Sequence, residues 1–181
     1  MHFSFKALVL LCSSTAVSSS FLPSLKCLEL RKVLESIPID RIVAYGQESC
    51  NEGRNLKPSD YEHGREHFQS VIQEEAANMG VPDLSDSYLN LVDSMVEMGR
   101  QKCGMDKLSE TGFCGDIPQT KALAECVKSN SWSLALSNIE NIAPLLLSDN
   151  CEKQVAYFSN PKFLDEATPK QIQKLMINIS G

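Results

Sequence analysis

The residues best suited to chemistry are two histidines one helical turn apart, with a glutamate between them. His63, Glu66 and His67 lie in the segment HGREH. Residues four apart share one face of a helix, so two imidazoles at this spacing can bind one zinc ion. A neighbouring carboxylate can then act as a general base on zinc-bound water. The segment therefore raises the hypothesis of a zinc-dependent hydrolase.

Over these five residues the chain resembles the H-x-x-E-H motif of the inverzincin metallopeptidases. The resemblance implies a third zinc ligand from a distant glutamate, for which Glu140 is the candidate. Helical phase favours another interpretation, because the apolar residues of this helix cluster on one side and His63 and His67 fall on the other. The apolar side consists of Tyr61, Phe68, Ile72 and Met79. We therefore expect the histidines to face water and predict no metal site.

Other patterns that would indicate an enzyme do not occur in the sequence. No serine lies in a G-x-S-x-G turn, which exposes the nucleophile of α/β-hydrolases. No glycine-rich loop of the phosphate-binding kind is present. The acidic pairs Glu74-Glu75 and Asp165-Glu166 are adjacent in sequence, so their side chains diverge on a helix. We therefore expect a non-enzymatic protein that needs no cofactor.

The first twenty residues have the three zones of a secretory signal peptide. Lys6 lies in the short leading zone, Ala7–Val17 form an apolar run of eleven residues, and small serines follow. A membrane-spanning helix needs about 20 apolar residues, so this run is too short to be an anchor. We expect residues 1–20 to be a signal peptide cleaved between Ser18 and Phe21. The product is then a secreted, extracellular protein with a single helical, cysteine-rich domain over residues 21–181.

Six of the seven cysteines lie in this mature region. An even number behind a secretory signal predicts three disulfides. A metal site would need close pairs such as C-x-x-C, and the nearest pair, Cys103 and Cys114, is separated by ten residues. The six candidates for disulfide bonding are Cys27, Cys50, Cys103, Cys114, Cys126 and Cys151.

Chain geometry predicts that the disulfides close helical hairpins. Cys27 opens one helix and Cys50 closes the next, with Pro38 near the midpoint. Two antiparallel arms of equal length bring their outer ends together, within the Cα separation that a disulfide needs. The predicted pairs are Cys27–Cys50, Cys103–Cys114 and Cys126–Cys151. The rival hypothesis crosses the halves of the chain, for example Cys50 with Cys126, and would restrict the unfolded chain more.

Helical patterns dominate the mature region, and sustained strand alternation is not found. The capping-box patterns Ser59–Glu62 and Thr168–Gln171 predict two helix starts, and Pro38 predicts a helix end. Two separate short helices are predicted around Leu123–Val127 and Leu134–Ile142, with a glycine-rich loop over Gly104–Pro118. The predicted fold class is all-α, a compact disulfide-stabilised bundle of about seven short helices.

The most regular amphipathic segment carries a possible ligand-facing stripe. Its members are Tyr88, Leu91, Met95 and Met98. Methionine adapts to irregular partners, so this face is a candidate wall for an apolar ligand, although ordinary core packing would use the same pattern. Trp132, the single tryptophan, fits either an interface or a core.

Charge and hydropathy narrow the choice of partners. The net charge is −6, and it becomes −7 once the signal segment with Lys6 is removed. An acidic secreted protein is a poor candidate for nucleic acid or anionic membranes, and no further segment is long and apolar enough to span a membrane. The Asn178-Ile179-Ser180 sequon is one possible glycosylation site. The expected partner is a small apolar ligand or an extracellular protein; the oligomeric state is left open.

Overall fold

Every regular element in residues 24–180, the part that the computed structural model describes, is helical. The predicted fold class is therefore confirmed. The predicted signal peptide lies outside the described residues. The helices are α1 (Leu25–Ser36), α2 (Ile39–Asn51), α3 (Asp60–Asn78), α4 (Ser85–Lys102), α5 (Gly112–Gly115), α6 (Ile117–Ser137), α7 (Ile139–Ile142), α8 (Ser148–Phe158) and α9 (Thr168–Ser180). Among the described helices, none combines the length and the hydropathy needed to cross a bilayer.

The described part thus contains nine α-helices, where about seven were predicted. Two of them, α5 and α7, are only four residues long, which is too short to produce a periodic apolar pattern. The region Gly104–Pro118, predicted as a loop, contains α5 and the 3₁₀ turn Met105–Leu108. A further 3₁₀ turn, Ala143–Leu146, follows α7 and contains the helix-interrupting Pro144.

The short helix predicted at Leu123–Val127 and the first half of the one predicted at Leu134–Ile142 belong to a single helix, the 21-residue α6. The second half, Ile139–Ile142, forms the separate α7. The polar stretch between the two predicted segments does not break α6, because its side chains bond to carbonyls of the preceding turn. Ser129 Oγ donates to the Glu125 carbonyl at 2.7 Å, and Asn130 Nδ2 donates to the Cys126 carbonyl at 2.9 Å. A serine-rich segment can therefore continue a helix when its hydroxyls donate to backbone carbonyls of the preceding turn.

The start of α3 was predicted in the right place, whereas the helical backbone of α9 begins before the predicted start at Thr168, and neither proposed capping box forms. α3 begins at Asp60, yet the Ser59 side chain makes no capping hydrogen bond. Instead, Asp60 Oδ2 accepts from the Lys57 backbone N–H at 2.7 Å. α9 continues directly from the π-helical turn Phe163–Ala167, so Thr168 is already inside a helix and its hydroxyl donates to the Phe163 carbonyl.

Two apolar clusters of buried residues are each built around a disulfide. The first cluster joins α1, α6 and α8 around Cys27–Cys151, and the second joins α4 and α6 around Cys103–Cys126. The first consists of Cys27, Leu30, Ala135, Ile142, Leu145, Leu146 and Cys151. The second consists of Cys103, Met105, Leu108 and Leu123. The third disulfide, Cys50–Cys114, joins α2 to α5.

The hairpin pairing of the cysteines is therefore wrong in all three pairs. The observed pairs are Cys27–Cys151, Cys50–Cys114 and Cys103–Cys126, with sequence separations of 124, 64 and 23. The prediction failed because α1 packs mainly against α8, and α2 packs mainly against α9 and α6. The turn at Pro38 therefore separates α1 from α2 instead of folding them into a hairpin. The rival crossing of Cys50 with Cys126 is not observed either.

Candidate functional site

The main apolar depression of the described residues lies between α3, α4 and α9, and we call it the first cleft. Its volume is about 280 Å³. Apart from two charged residues, its lining is apolar or aromatic. The lining consists of Leu56, Lys57, Pro58, Asp60, Tyr61, Phe68, Val92, Val96, Met105, Phe113, Ile172, Leu175, Met176 and Ile179.

One wall of the first cleft is the apolar stripe of α9. Ile172, Leu175, Met176 and Ile179 recur at spacings of three and four, so they lie on one face of the helix. Gly64 on α3 allows this face to come close, because a Cβ there would lie 2.8 Å from Ile179 Cδ1. The glycine of the HGREH segment is thus a packing position beneath α9.

Polar contacts hold α9 on the outer side of this wall. Glu74 of α3 accepts from Lys174 at 2.7 Å and from Lys170 at 2.9 Å. These hydrogen bonds, first that of Lys174 and then that of Lys170, lower the pKa of Glu74 to about 2. Beside them, Gln171 Nε2 donates to Glu75 Oε1 at 2.7 Å. The position of α9, and hence the shape of the first cleft, depends on this contact with α3.

Phe113 on α5 is fixed by its neighbours. Its backbone N–H donates to the Leu56 carbonyl at 2.9 Å, and the adjacent Cys114 is bonded to Cys50. Gly112 has a φ of 69°, and a Cβ there would lie 2.3 Å from Asn55 Oδ1. Only glycine therefore allows Asn55 to bridge this segment, where it accepts from the Cys114 N–H at 3.0 Å.

A second apolar cleft lies on the other side of Phe113, between α2, α6 and α9. Its volume is about 210 Å³. Phe113 and Met176 line both clefts, so these two side chains stand between them. The remaining lining is Ile42, Val43, Gly46, Gln47, Cys50, Cys114, Ile117, Thr120 and Ala124.

The charged residues of the first cleft are Lys57 and Asp60, at the start of α3. Lys57 is exposed and makes no ion pair with any residue in 24–180. The Asp60 carboxylate lies in the first turn of α3, where the positive end of the helix dipole offsets its charge. Within the described part of the chain, the cleft therefore combines an apolar interior with one ammonium group that makes no ion pair.

The ring of Tyr61 lines the first cleft while its hydroxyl donates to Asp93 on α4. Burial, and then the hydrogen bond to Asp93, raise the pKa of Tyr61 above its ordinary value. Arg65 also bonds Asp93, with Nη2 to Oδ2 at 2.7 Å, and this hydrogen bond lowers the pKa of the carboxyl. Tyr61 thus remains a neutral donor, and the network ties α3 to α4 beside the cleft.

The two histidines of the HGREH segment are exposed, as the helical phase predicted. His63 Nδ1 lies 3.2 Å from the carbonyl of Ser59, the residue that precedes α3. The proposed third ligand, Glu140, is exposed on α7, which packs against α4 and α6. Within residues 24–180, no group of three or more His, Cys, Asp or Glu side chains is placed to hold a metal ion.

The four residues of the predicted ligand-facing stripe line neither cleft. Tyr88 and Leu91 pack against the first core cluster, Met98 is 5% exposed, and Met95 is half-buried. The same helix presents Val92 and Val96 to the first cleft instead. At 100° per residue these valines lie about a quarter turn from the predicted stripe.

Two further predicted positions lie away from both clefts. Trp132 is half-buried against the first core cluster, and the Arg31 guanidinium lies 5.8 Å from its ring centroid. Asn178 is exposed on α9, next to Ile177, which is 47% exposed. The structure therefore leaves the Asn178 side chain accessible.

The predicted ligand-facing stripe did not include the residues that define the clefts, above all Val92, Phe113 and Met176. The stripe on α9 was visible as an apolar repeat, but such a repeat is the same whether it packs against a core or borders a cleft. Phe113 had no signal, because it lies in a single-turn helix within a glycine-rich segment.

No family model matches this chain, and neither a curated protein nor a solved structure matches it.

Proposed function

We propose that the protein is a secreted, non-enzymatic carrier that binds a small apolar molecule in the first cleft. The observation that supports this best is the apolar lining of a cleft between α3, α4 and α9. Ligand sites are typically concave and mostly apolar, with a few polar groups that orient the ligand. Three disulfides support secretion, because such bonds persist mainly in oxidising compartments.

The polar residues at the start of α3 favour a ligand with one polar end. Lys57 contributes an ammonium group that makes no ion pair with residues 24–180, and the Asp60 carboxylate already accepts from a backbone N–H. A ligand with an apolar body and an acidic head would bury its body in the cleft and place its head near Lys57. Such a contact at an exposed position adds only about 0.2–1 kcal/mol, so most of the affinity must come from apolar burial.

A second candidate function, an extracellular protein-interaction module, has its own supporting observation. Arg31 stacks on Trp132 between α1 and α6, and Leu136 beside them is 44% exposed. Tryptophan and arginine are enriched among residues that dominate protein interfaces. Replacing Trp132 with alanine should abolish partner binding if this function is correct, and should leave ligand binding in the first cleft unchanged.

The carrier function is tested by filling the first cleft. Val92→Phe adds an aromatic ring to its wall, and Val33→Phe makes the same change on α1, away from both clefts. Both proteins, with all disulfides intact, are stripped of bound lipid and titrated with a fluorescent apolar probe. We expect Val92→Phe to weaken probe binding at least about tenfold, or about 1.4 kcal/mol, and Val33→Phe to leave it unchanged.

Circular dichroism melts of both variants check that the fold is retained. Equal probe affinity in the two variants, or no probe binding by the unmodified protein, would contradict the carrier function.

A further inference from the structure

We propose that Met176 sets the length of the ligand and that the ligand is an unbranched, single-chain amphiphile. This inference rests on the proposed carrier function and adds the ligand class and a specificity-determining residue. Its basis is that Met176 and Phe113 line both apolar clefts and stand between them.

The volumes of the two clefts limit the size and shape of a ligand that can occupy both. The first cleft, at about 280 Å³, is slightly smaller than the range of about 300–1,000 Å³ that is usual for ligand pockets. The second adds about 210 Å³ on the far side of the two side chains. A narrow, flexible chain can extend from one cleft into the other once the separation is removed, whereas a rigid fused-ring ligand cannot.

Of the two separating residues, Phe113 belongs to the fixed framework. The Cys50–Cys114 disulfide, the Asn55 bridge and the hydrogen bond to Leu56 all hold its backbone. Met176 belongs to α9 and is unbranched with three rotatable side-chain bonds, so it adapts to its surroundings more readily than an aromatic ring. The length limit is therefore a property of the side chain at position 176.

The residues beyond Met176 are compatible with an alkyl chain. Ile42, Val43, Ile117 and Ala124 supply apolar walls in the second cleft. Gly46 leaves space in the same cleft, since a Cβ built there meets no atom within 4 Å. Each methylene that enters such a site contributes about 0.8 kcal/mol, which corresponds to about a fourfold change in Kd.

The test is a chain-length series of straight fatty acids, from about 8 to about 18 carbons, titrated into the delipidated, disulfide-intact protein. For the unmodified protein we expect Kd to fall about fourfold per methylene until the first cleft is filled, and then to level off. In Met176→Ala we expect Kd to keep falling for several more methylenes before it levels off. Met176→Val removes less volume and carries the same expectation if the alanine variant does not fold.

Two further variants make the result specific. Met98→Ala removes the same atoms from an equally buried methionine, also 5% exposed, that lines neither cleft, and should not move the levelling point. Adding Gly46→Leu to Met176→Ala fills the second cleft and should bring the levelling point back. Leucine also favours the helical conformation over glycine at this α2 position.

The outcomes separate the inference from the function on which it rests. If fatty acids bind but Met176→Ala does not move the chain length at which Kd levels off, the role of Met176 is wrong and the carrier function stands. The same conclusion follows if adding Gly46→Leu to Met176→Ala has no effect. Failure of every fatty acid to bind any variant overturns the ligand class, while continued binding of the apolar probe would still support a carrier.

Discussion

At the scale of single residues, the HGREH segment divides into an outer and an inner face. His63 and His67 are exposed, whereas Gly64 is buried against Ile179 and Arg65 bonds Asp93. The residues that suggested chemistry are thus on the solvent side of α3. The residues between them position α9 and α4 around the first cleft.

This division predicts opposite effects for neighbouring substitutions. Replacing His63 and His67 together with alanine should change the free energy of unfolding by no more than about 0.5 kcal/mol, because both side chains are in water. Gly64→Ala should cost up to about 2 kcal/mol, because the overlap of its Cβ with Ile179 costs about 1–3 kcal/mol and the higher helix propensity of alanine offsets about 1 kcal/mol of this. Chemical denaturation measures both values. Stoichiometric zinc binding that disappears in the double histidine variant would instead restore the hydrolase hypothesis.

At the scale of elements, α9 is the wall that the rest of the fold must hold in place. Its apolar face borders the first cleft, and Lys170 and Lys174 bond Glu74 of α3. The proposed site therefore depends on a helix near the end of the described chain. A change that loosens α9 should also weaken ligand binding.

We expect the attachment of α9 to weaken in acid. The pKa of Glu74 is lowered to about 2 in the folded protein from an ordinary value of 4.5, so its ionised form stabilises the folded state. That stabilisation is complete above about pH 4.5 and is lost as the pH falls towards 2. Hydrogen exchange of α9 amides, corrected for intrinsic rates, should therefore accelerate over this interval.

The control for this experiment is a second glutamate with a more local partner. Glu74→Gln should remove the acid-induced acceleration of hydrogen exchange in α9. Glu35→Gln should keep it, because the partner of Glu35 is Arg31 in the same helix. An acid-induced change of equal size in the Glu74→Gln protein would refute the role of this carboxylate.

At the scale of the whole molecule, the disulfides connect segments that are distant in sequence. Cys27–Cys151 joins α1 to α8 across 124 positions, and both cysteines are fully buried. Cys103–Cys126 spans only 23 positions within the second core cluster. The long closure restricts the unfolded chain more than the short one.

Removing the two bridges separately should therefore have unequal costs. By chain entropy, replacing Cys27 and Cys151 with alanine should cost about 1.5 kcal/mol more than replacing Cys103 and Cys126. Denaturant unfolding of the two double variants measures the difference. Peptide mapping without reduction should first yield a fragment linking Cys27 to Cys151; a fragment linking Cys27 to Cys50 would contradict the structure.

Local chemistry explains which structural features were predictable from the sequence. α1 ends before Pro38, α3 begins at Asp60, and the histidines of α3 face outwards, as predicted. Each of these depends on residues within a turn or two of one another, such as a proline that cannot continue a helix. A serine within a polar stretch can either interrupt a helix or bond a carbonyl of the preceding turn and continue it. Ser129 in α6 does the second, and the sequence alone did not predict which would occur.

By itself the sequence determined the all-α class, the even number of cysteines in residues 24–180 and the outward face of α3. The tertiary structure alone decided the disulfide pairing and the location of the clefts. Both depend on which helices become neighbours, and that choice follows from the total burial achieved by contacts far apart in sequence. The stripe with Tyr88 and the valines at 92 and 96 are similar apolar patterns on one helix. Only their surroundings differ: Tyr88 and Leu91 pack against the first core cluster, whereas Val92 and Val96 line the first cleft, where Val96 also packs against the second core cluster.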